Sequence, residues 1–259
     1  MTDLVTTSVR GNVLVIGVHR AEKRNAWNTE IIRAVATAYA ELRDNGDLRA
    51  GVVYGDGDHF TAGLDLADVA PVVASGSLDD LLPAHLCDPW DFVGEPCPKP
   101  IVVAAQGRCY TLGIELILAS QAAVVASDTI FAQLEVARGI VPFGGATFRL
   151  PRLGAQGKRW LLTAEQFGAE AALAAGMVTE VVEPGAQLER GVALAELMAA
   201  QSPLGVQAAL ASTRASERSA RDAAAAEVRQ RLNKLMVSQD AMEGMAAMME
   251  RRDPSFTGS

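Results

Sequence analysis

Two glutamates set the hardest condition on how this chain folds. Glu115 and Glu135 each sit in an apolar stretch. The first reads Gly107-Arg108-Cys109-Tyr110-Thr111-Leu112-Gly113-Ile114-Glu115-Leu116. The second reads Phe131-Ala132-Gln133-Leu134-Glu135-Val136-Ala137-Arg138-Gly139-Ile140-Val141-Pro142-Phe143-Gly144-Gly145. A carboxylate in apolar surroundings is costly unless it is paired, hydrogen-bonded or protonated. A fold that accepts both must supply donors or let the two hold different protonation states, which is how one site furnishes an acid and a base. Upstream, Phe60-Thr61-Ala62-Gly63-Leu64-Asp65-Leu66 is a turn of small residues suited to close approach of backbone to a ligand.

The 259 residues allow one large domain, or one domain with a helical appendage. A net charge of −8 argues against a broad nucleic-acid-binding face, while leaving room for a local basic patch on a phosphorylated ligand. Cys87, Cys97 and Cys109 are odd in number and lack paired spacing, so no disulfide framework is expected. Met1-Thr2-Asp3-Leu4 lacks the basic-then-apolar pattern of a secretion signal. No apolar run approaches the roughly 18 residues of a membrane span. The longest, around Ile114 to Ala126, is broken by Glu115, Ser120 and Gln121. A cytoplasmic protein that binds neither membrane nor nucleic acid is the expectation.

Val5–Arg10 and Val13–Val18, separated by Gly11-Asn12, read as a β-hairpin. Asn28 is placed to cap a helix running to about Asn45, with Gly46 to end it. Gly51–Tyr54, Ile101–Ala105 and Ala122–Ala126 read as short buried strands, and Gly176–Val182 leads into a last one. Asp65 opens a helix, and Leu112–Ser120 forms another. The proline-rich stretch from Pro71 to Pro100 is irregular, with a helical piece around Leu78–Leu86 and a mobile rim. From Gln187 onward the chain is helical. Met242, Met245, Met248 and Met249 form a stripe at helical spacing, read as core or subunit packing, with a lid over an acyl pocket as the sharper alternative.

Other chemistries fit poorly. The chain has no G-x-S-x-G elbow of a serine hydrolase. Gly154-Ala155-Gln156-Gly157-Lys158-Arg159 lacks the spacing of a phosphate-binding loop and the hydroxyl residue after the lysine. Gly55-Asp56-Gly57 lacks the third glycine of a dinucleotide fingerprint. His85, Cys87, Cys97 and Cys109 do not match a known zinc spacing, so no metal is expected.

The three segments around Leu64, Glu115 and Glu135, in this order, resemble the crotonase (enoyl-CoA hydratase/isomerase) superfamily. His19-Arg20-Ala21-Glu22-Lys23-Arg24-Asn25-Ala26 resembles the family's N-terminal CoA-binding segment. Glu243-Gly244-Met245 and Glu250-Arg251-Arg252-Asp253-Pro254-Ser255-Phe256 resemble its last helix and terminus. The matches span nearly the whole chain. The resemblance implies an α/β crotonase (ClpP/crotonase-like) fold, with a core of ββα units over residues 1–195. It also implies a C-terminal helical oligomerisation region over 196–259, in a homotrimer or a hexamer of two trimers.

It further implies an enzyme that adds water to a trans-2-enoyl-CoA to give a 3-hydroxyacyl-CoA. Glu115 and Glu135 would act as the acid–base pair, and the backbone N–H groups of Leu64 and Leu112 as the oxyanion hole. Arg24, Ala26, Ala62, Asp65 and Leu66 would bind CoA, Arg24 through a phosphate and the rest largely through main chain. No cofactor is implied beyond the CoA that belongs to the substrate. Where the family often has three consecutive glycines, this chain has Thr111-Leu112-Gly113, so the leucine side chain is expected to narrow the acyl pocket. The alternatives are an enoyl-CoA isomerase working through Glu135, and an acyl-CoA-binding homologue without turnover. Taken locally, Glu115 at a helix N-terminus, Glu135 paired with Arg138, and Asp65 as a helix cap have purely structural readings.

Overall fold

Strands buried on both faces account for the unbroken apolar runs. The computed structural model describes residues 3–74 and 81–259. Its main sheet has six strands in the order β1-β2-β3-β4-β6-β9. These are β1 (Val5–Arg10), β2 (Val13–Val18), β3 (Ala50–Gly55), β4 (Ile101–Ala105), β6 (Ala122–Ala126) and β9 (Glu180–Val182). The hairpin β1–β2 is antiparallel, with Val5 opposite Val18 and Arg10 opposite Val13. Every later pairing in this sheet is parallel. Each therefore needs a crossover, and the intervening helices supply it.

Side chains alternate across the sheet with period two. Val15, Val52, Val102, Ala104 and Val124 face α7 (Gln187–Ala199), packing with Val192 and Ala195. Leu14, Ile16, Val53, Ile101, Val103 and Val125 face the larger core on the other side. There they meet α1 (Thr29–Asp44), whose first turn is capped by the Asn28 side chain accepting from the Ile31 N–H at 3.0 Å. The helix ends one residue before the expected Asn45. Lys99 closes it by donating to the carbonyls of Leu42 and Asn45, each at 2.7 Å.

A second layer has three short strands, β5 (Arg108–Tyr110), β7 (Ile130–Ala132) and β8 (Phe167–Gly168). Nothing in the sequence pattern separates these from loop. β5 and β7 pair in parallel, Cys109 opposite Phe131, and a parallel bridge joins Thr61 to Cys109. A repeated unit results: a main-sheet strand, a short second-layer segment, then a helix. β3, the Thr61 bridge and α2 (Leu66–Ala74) make one copy, and β4, β5 and α3 (Leu112–Ala119) make the next. β6 and β7 begin the third, which continues through α4 (Ala146–Arg149), α5 (Gly154–Thr163) and, after β8, α6 (Ala169–Ala174). Of the helix expected over Leu78–Leu86, residues 78–80 lie outside the described residues. Among its described part only Leu81 is helical.

The C-terminal region is largely helical, as expected from Gln187 onward. α8 is one helix over Pro203–Leu235, with Pro203 in its first turn and Ser202 capping it. α9 (Gln239–Glu250) returns to the body and packs on the turn Val136–Arg138, directly after Glu135. Its inward face is Ala241, Gly244 and Ala247. A Cβ at Gly244 would stand 2.5 Å from the carbonyl carbon and oxygen of Arg138, so only glycine permits this approach. The methionine stripe is thereby turned outward. Met242, Met248 and Met249 are 59%, 43% and 73% exposed, which corrects the reading of them as core within one chain.

Because α9 braces the segment that carries Glu135, Gly244→Val should push the helix off and lose about 1–3 kcal/mol of stability through overpacking. A fall in both Tm and activity is the expected result, read by thermal unfolding and turnover. Unchanged values would show that the contact does not matter.

Candidate active site

The second-layer pairing decides what meets at the site. Thr61 and Cys109 lie side by side, as do Cys109 and Phe131. Leu64 follows Thr61 by three residues, Leu112 follows Cys109 by three, and Glu135 follows Phe131 by four. The turns that follow aligned strands are thus brought to one place.

At the first turn, the Thr61 hydroxyl donates to the Asn25 carbonyl at 2.7 Å and accepts the Gly63 N–H at 3.1 Å. Trp27 then pairs with Leu64. The Trp27 N–H donates to Gly63 and the Asp65 N–H donates to Trp27, both within 2.9 Å. In a parallel bridge the groups of the residue between point the other way. The Leu64 N–H accordingly has no acceptor among the described residues.

At the second turn, Thr111 adopts φ +49°, ψ −107°, a costly conformation for a residue with a Cβ. Its N–H donates to Ala132, tying the start of α3 to the end of β7 at 2.9 Å. Its side chain makes no capping bond. The Leu112 N–H, at the head of the helix, likewise has no acceptor among the described residues. Helix N-termini leave such donors unpaired unless a cap or ligand takes them.

Both leucines open on one apolar cavity, which Glu115, Trp90, Phe143 and Gly144 also line. The Leu112 side chain forms part of its wall, as the missing glycine suggested.

Glu115 is 4% exposed and Glu135 6%. Glu115 Oε1 accepts the N–H groups of Gly144 and Ala146 at 2.8 and 3.0 Å. A Cβ at Gly144 would lie 2.5 Å from Glu115 Oε2, so glycine is what lets this backbone reach the carboxylate. Glu135 takes both its oxygens to the Gln133 side-chain amide, each at 3.1 Å. Gln133 is fully buried and was not foreseen as a site residue, although its placement two residues before Glu135 was visible.

Burial raises the pKa of Glu115 above the ordinary carboxylate range, and the charge of Glu135 raises it further, against the two backbone donors and Arg149. Burial also raises Glu135, opposed by its own backbone N–H, Arg138 and Gln133. The pair therefore takes up a first proton well before ordinary carboxylates do. The expected Glu135–Arg138 ion pair is absent as a close contact among the described residues. Arg138 acts only through the longer-range attraction that partly offsets its own desolvation.

The residues expected at the CoA end are adjacent in space. The Arg24 carbonyl accepts the Ala62 N–H at 2.9 Å, and the exposed Arg24 side chain has no hydrogen-bond or ion-pair partner among the described residues. Asp65 is not a side-chain cap. Its carboxylate pairs with Arg20 at 2.9 Å, while Arg20 also donates to the Ala26 carbonyl at 2.9 Å. Arg20 is thus the basic residue that holds Ala26 and Asp65, and the sequence did not distinguish it from Arg24. Leu66 opens α2 beside them. The described residues hold no group of three or more His, Cys, Asp or Glu arranged to ligate a metal. None of their helices is long and apolar enough to cross a membrane.

A paired acid site over an apolar cavity, fed by two unpaired main-chain donors, is what the comparisons with known proteins place in context. The family model described as enoyl-CoA hydratase/isomerase matches residues 8–259, and the chain belongs to that family, with its crotonase-like fold. It is 30% identical to the 2,3-dehydroadipyl-CoA hydratase of Escherichia coli over the full length of both chains. It is also 30% identical to a mitochondrial Delta(3,5)-Delta(2,4)-dienoyl-CoA isomerase of Pongo abelii, covering 96% of this chain and 80% of the relative. Among solved structures, a probable enoyl-CoA hydratase/isomerase from Mycobacterium abscessus shares 42% identity, with a TM-score of 0.80 and 99% of each chain covered.

The raised pKa values carry a sign for stability. Between the ordinary carboxylate pKa and the raised ones, the folded protein binds more protons than the unfolded chain, so stability falls as pH rises through that window. Removing either charge should relieve this. Glu115→Gln and Glu135→Gln should each gain about 1–2 kcal/mol near pH 8 and flatten the decline from about pH 5. Denaturant unfolding across pH checks this; variants less stable than wild type at the alkaline end would contradict it.

Proposed function

We propose that the protein is an enoyl-CoA hydratase. The supporting observation is the coincidence on one cavity of Glu115, Leu64 and Leu112, the two leucine amides lacking acceptors among the described residues, with buried Glu135 near enough to raise the pKa of Glu115. Hydration of a conjugated thioester draws negative charge onto the carbonyl oxygen as the β-carbon is attacked. The N–H groups of Leu64 and Leu112 are suited to hold that charge, each worth about 3–4 kcal/mol in such a role. One glutamate takes a proton from water as the hydroxide adds to the β-carbon. The other, protonated, gives its proton to the α-carbon. Water is added across the double bond with no net change in the pair's proton count. The raised pKa values favour the singly protonated pair that this needs near neutrality.

Arg24, with an exposed side chain that has no hydrogen-bond or ion-pair partner among the described residues, is proposed to meet a CoA phosphate. The main chain of Ala26, Ala62, Asp65 and Leu66 is proposed to line the rest of the cofactor portion of the substrate. Residues 196–259 are proposed as the oligomerisation region. The exposed Met242, Met248 and Met249, with Leu204 at 80% exposure, favour burial between copies in a trimer or hexamer. Sedimentation at micromolar concentration should show that assembly, and a fully active monomer would reject it.

The likeness to a dienoyl-CoA isomerase favours a second reading, a double-bond shift with one glutamate moving the proton. Separate incubations with 2-enoyl-CoA and 3-enoyl-CoA distinguish the two by product. For hydration, Glu115→Gln and Glu135→Gln should each lower the rate by about 10²-fold or more with binding largely kept. The pH profile of kcat/KM should be bell-shaped, since activity needs one carboxylate ionised and one protonated. Near wild-type hydration by either variant rules out the two-carboxylate mechanism.

A further inference from the structure

An unusual amount of buried charge is committed to holding one side chain of the irregular rim. Trp90 has its N–H bound by Asp88 Oδ1 at 2.8 Å and its carbonyl bound by Arg149 at 2.9 Å. Asp88, 1% exposed, also gathers the N–H groups of Phe92, Val93 and Gly94 at 2.9–3.0 Å on its other oxygen. The next residue, Asp91, has φ +45° and is ringed by Arg221 at 2.7 Å, Arg214 at 3.2 Å and Arg149 at 3.9 Å. Burying charges in this way is expensive and is weak evidence for stability alone. What it achieves is a fixed loop that presents the Trp90 indole to the cavity.

Trp90 touches one half of the candidate oxyanion hole and packs beside the residue that holds the other. Its indole N–H donates to the Leu112 carbonyl at 3.4 Å. Its ring lies 5.8 Å from that of Trp27, the residue bridged to Leu64. Around it the cavity wall is Leu82, Val93, Leu112 and Phe143. Among the described residues lining the cavity, Glu115 is the one with an ionisable side chain, and none is a cation. Residues 75–80 contain no lysine or arginine to add one. A terminal carboxylate on an acyl group would therefore be desolvated here without a partner from this chain.

We propose that Trp90 is the specificity-determining wall of the acyl pocket, and that the pocket takes an uncharged, apolar acyl group that ends against its indole. This rests on the acyl-CoA reading given above. It separates this chain from a relative such as the 2,3-dehydroadipyl-CoA hydratase, whose name denotes an acyl group ending in a carboxylate.

The test uses the full-length protein with saturated and 2-enoyl-CoA thioesters of four to about twelve carbons, and one enoyl-CoA ending in a carboxylate. Wild type should prefer neutral acyl groups over the carboxylate-bearing one by about tenfold or more in kcat/KM. Trp90→Ala should shift the preference toward longer or bulkier chains by a similar factor. Should that variant fold poorly, Trp90→Phe and wild-type fluorescence decide. Saturated acyl-CoA should change the wild-type tryptophan emission clearly more than that of Trp90→Phe, because among the three tryptophans only Trp90 lines the cavity. An active Trp90→Ala with unchanged chain ranking overturns the proposal. So does equal use of the carboxylate substrate, or binding that leaves Trp90 emission unmoved. If wild type neither binds nor turns over any thioester, the acyl-CoA reading itself fails and this inference with it.

Discussion

The site depends on the parallel pairing of three short second-layer segments at Thr61, Cys109 and Phe131. None is long enough to be stable alone, and each is held by the main-sheet strand just before it. Their register fixes which residues of three successive turns stand together. A slip of one residue would move Leu64 or Leu112 off the cavity and reverse the side chains that pack beneath. Thr111 shows the cost, since it holds a left-handed conformation that glycine would adopt more easily.

The same arrangement works against stability. Two carboxylates are kept in an apolar interior, and the donors given to them are few. Glu115 has two backbone N–H groups, and Glu135 has the Gln133 side-chain amide and its own backbone N–H. Full neutralisation by a close arginine would lower both pKa values and leave two permanent anions. Arg138 stops short of Glu135, and Arg149 is turned to Trp90 and Asp91. The pair is thus left able to share a proton near neutrality, a state suited to acid–base work. The stability lost there is offset by the two-sided core of the sheet and by α9, which packs backbone to backbone on the turn after Glu135.

Much of this was legible in the sequence. The hairpin, α1 with its Asn28 cap, the core strands and α3 follow from apolar periodicity and turn chemistry, which act locally. Glu115, Glu135, Leu64 and Leu112 were picked out by their apolar setting and by resemblance, and the fold brings all four to one region. Longer-range facts were not legible. β5, β7 and β8 have two or three residues each, too few for a periodic signal. Asp65 reads as a cap until Arg20 is seen to claim its carboxylate. The methionine stripe has helical spacing, but which face turns inward is decided by Gly244 against Arg138. Gln133 and Trp90 are ordinary in sequence. Their importance lies in what they touch across the fold.

The central claim is that two unpaired amides, one from each of two adjacent units, form a single receptor for a thioester oxygen beside the glutamate pair. A crystal structure with a saturated acyl-CoA bound tests it most directly. The thioester oxygen should lie about 2.7–3.1 Å from both the Leu64 and the Leu112 nitrogen, with its α- and β-carbons facing Glu115 and Glu135. A bound thioester whose oxygen points away from both amides would contradict the account.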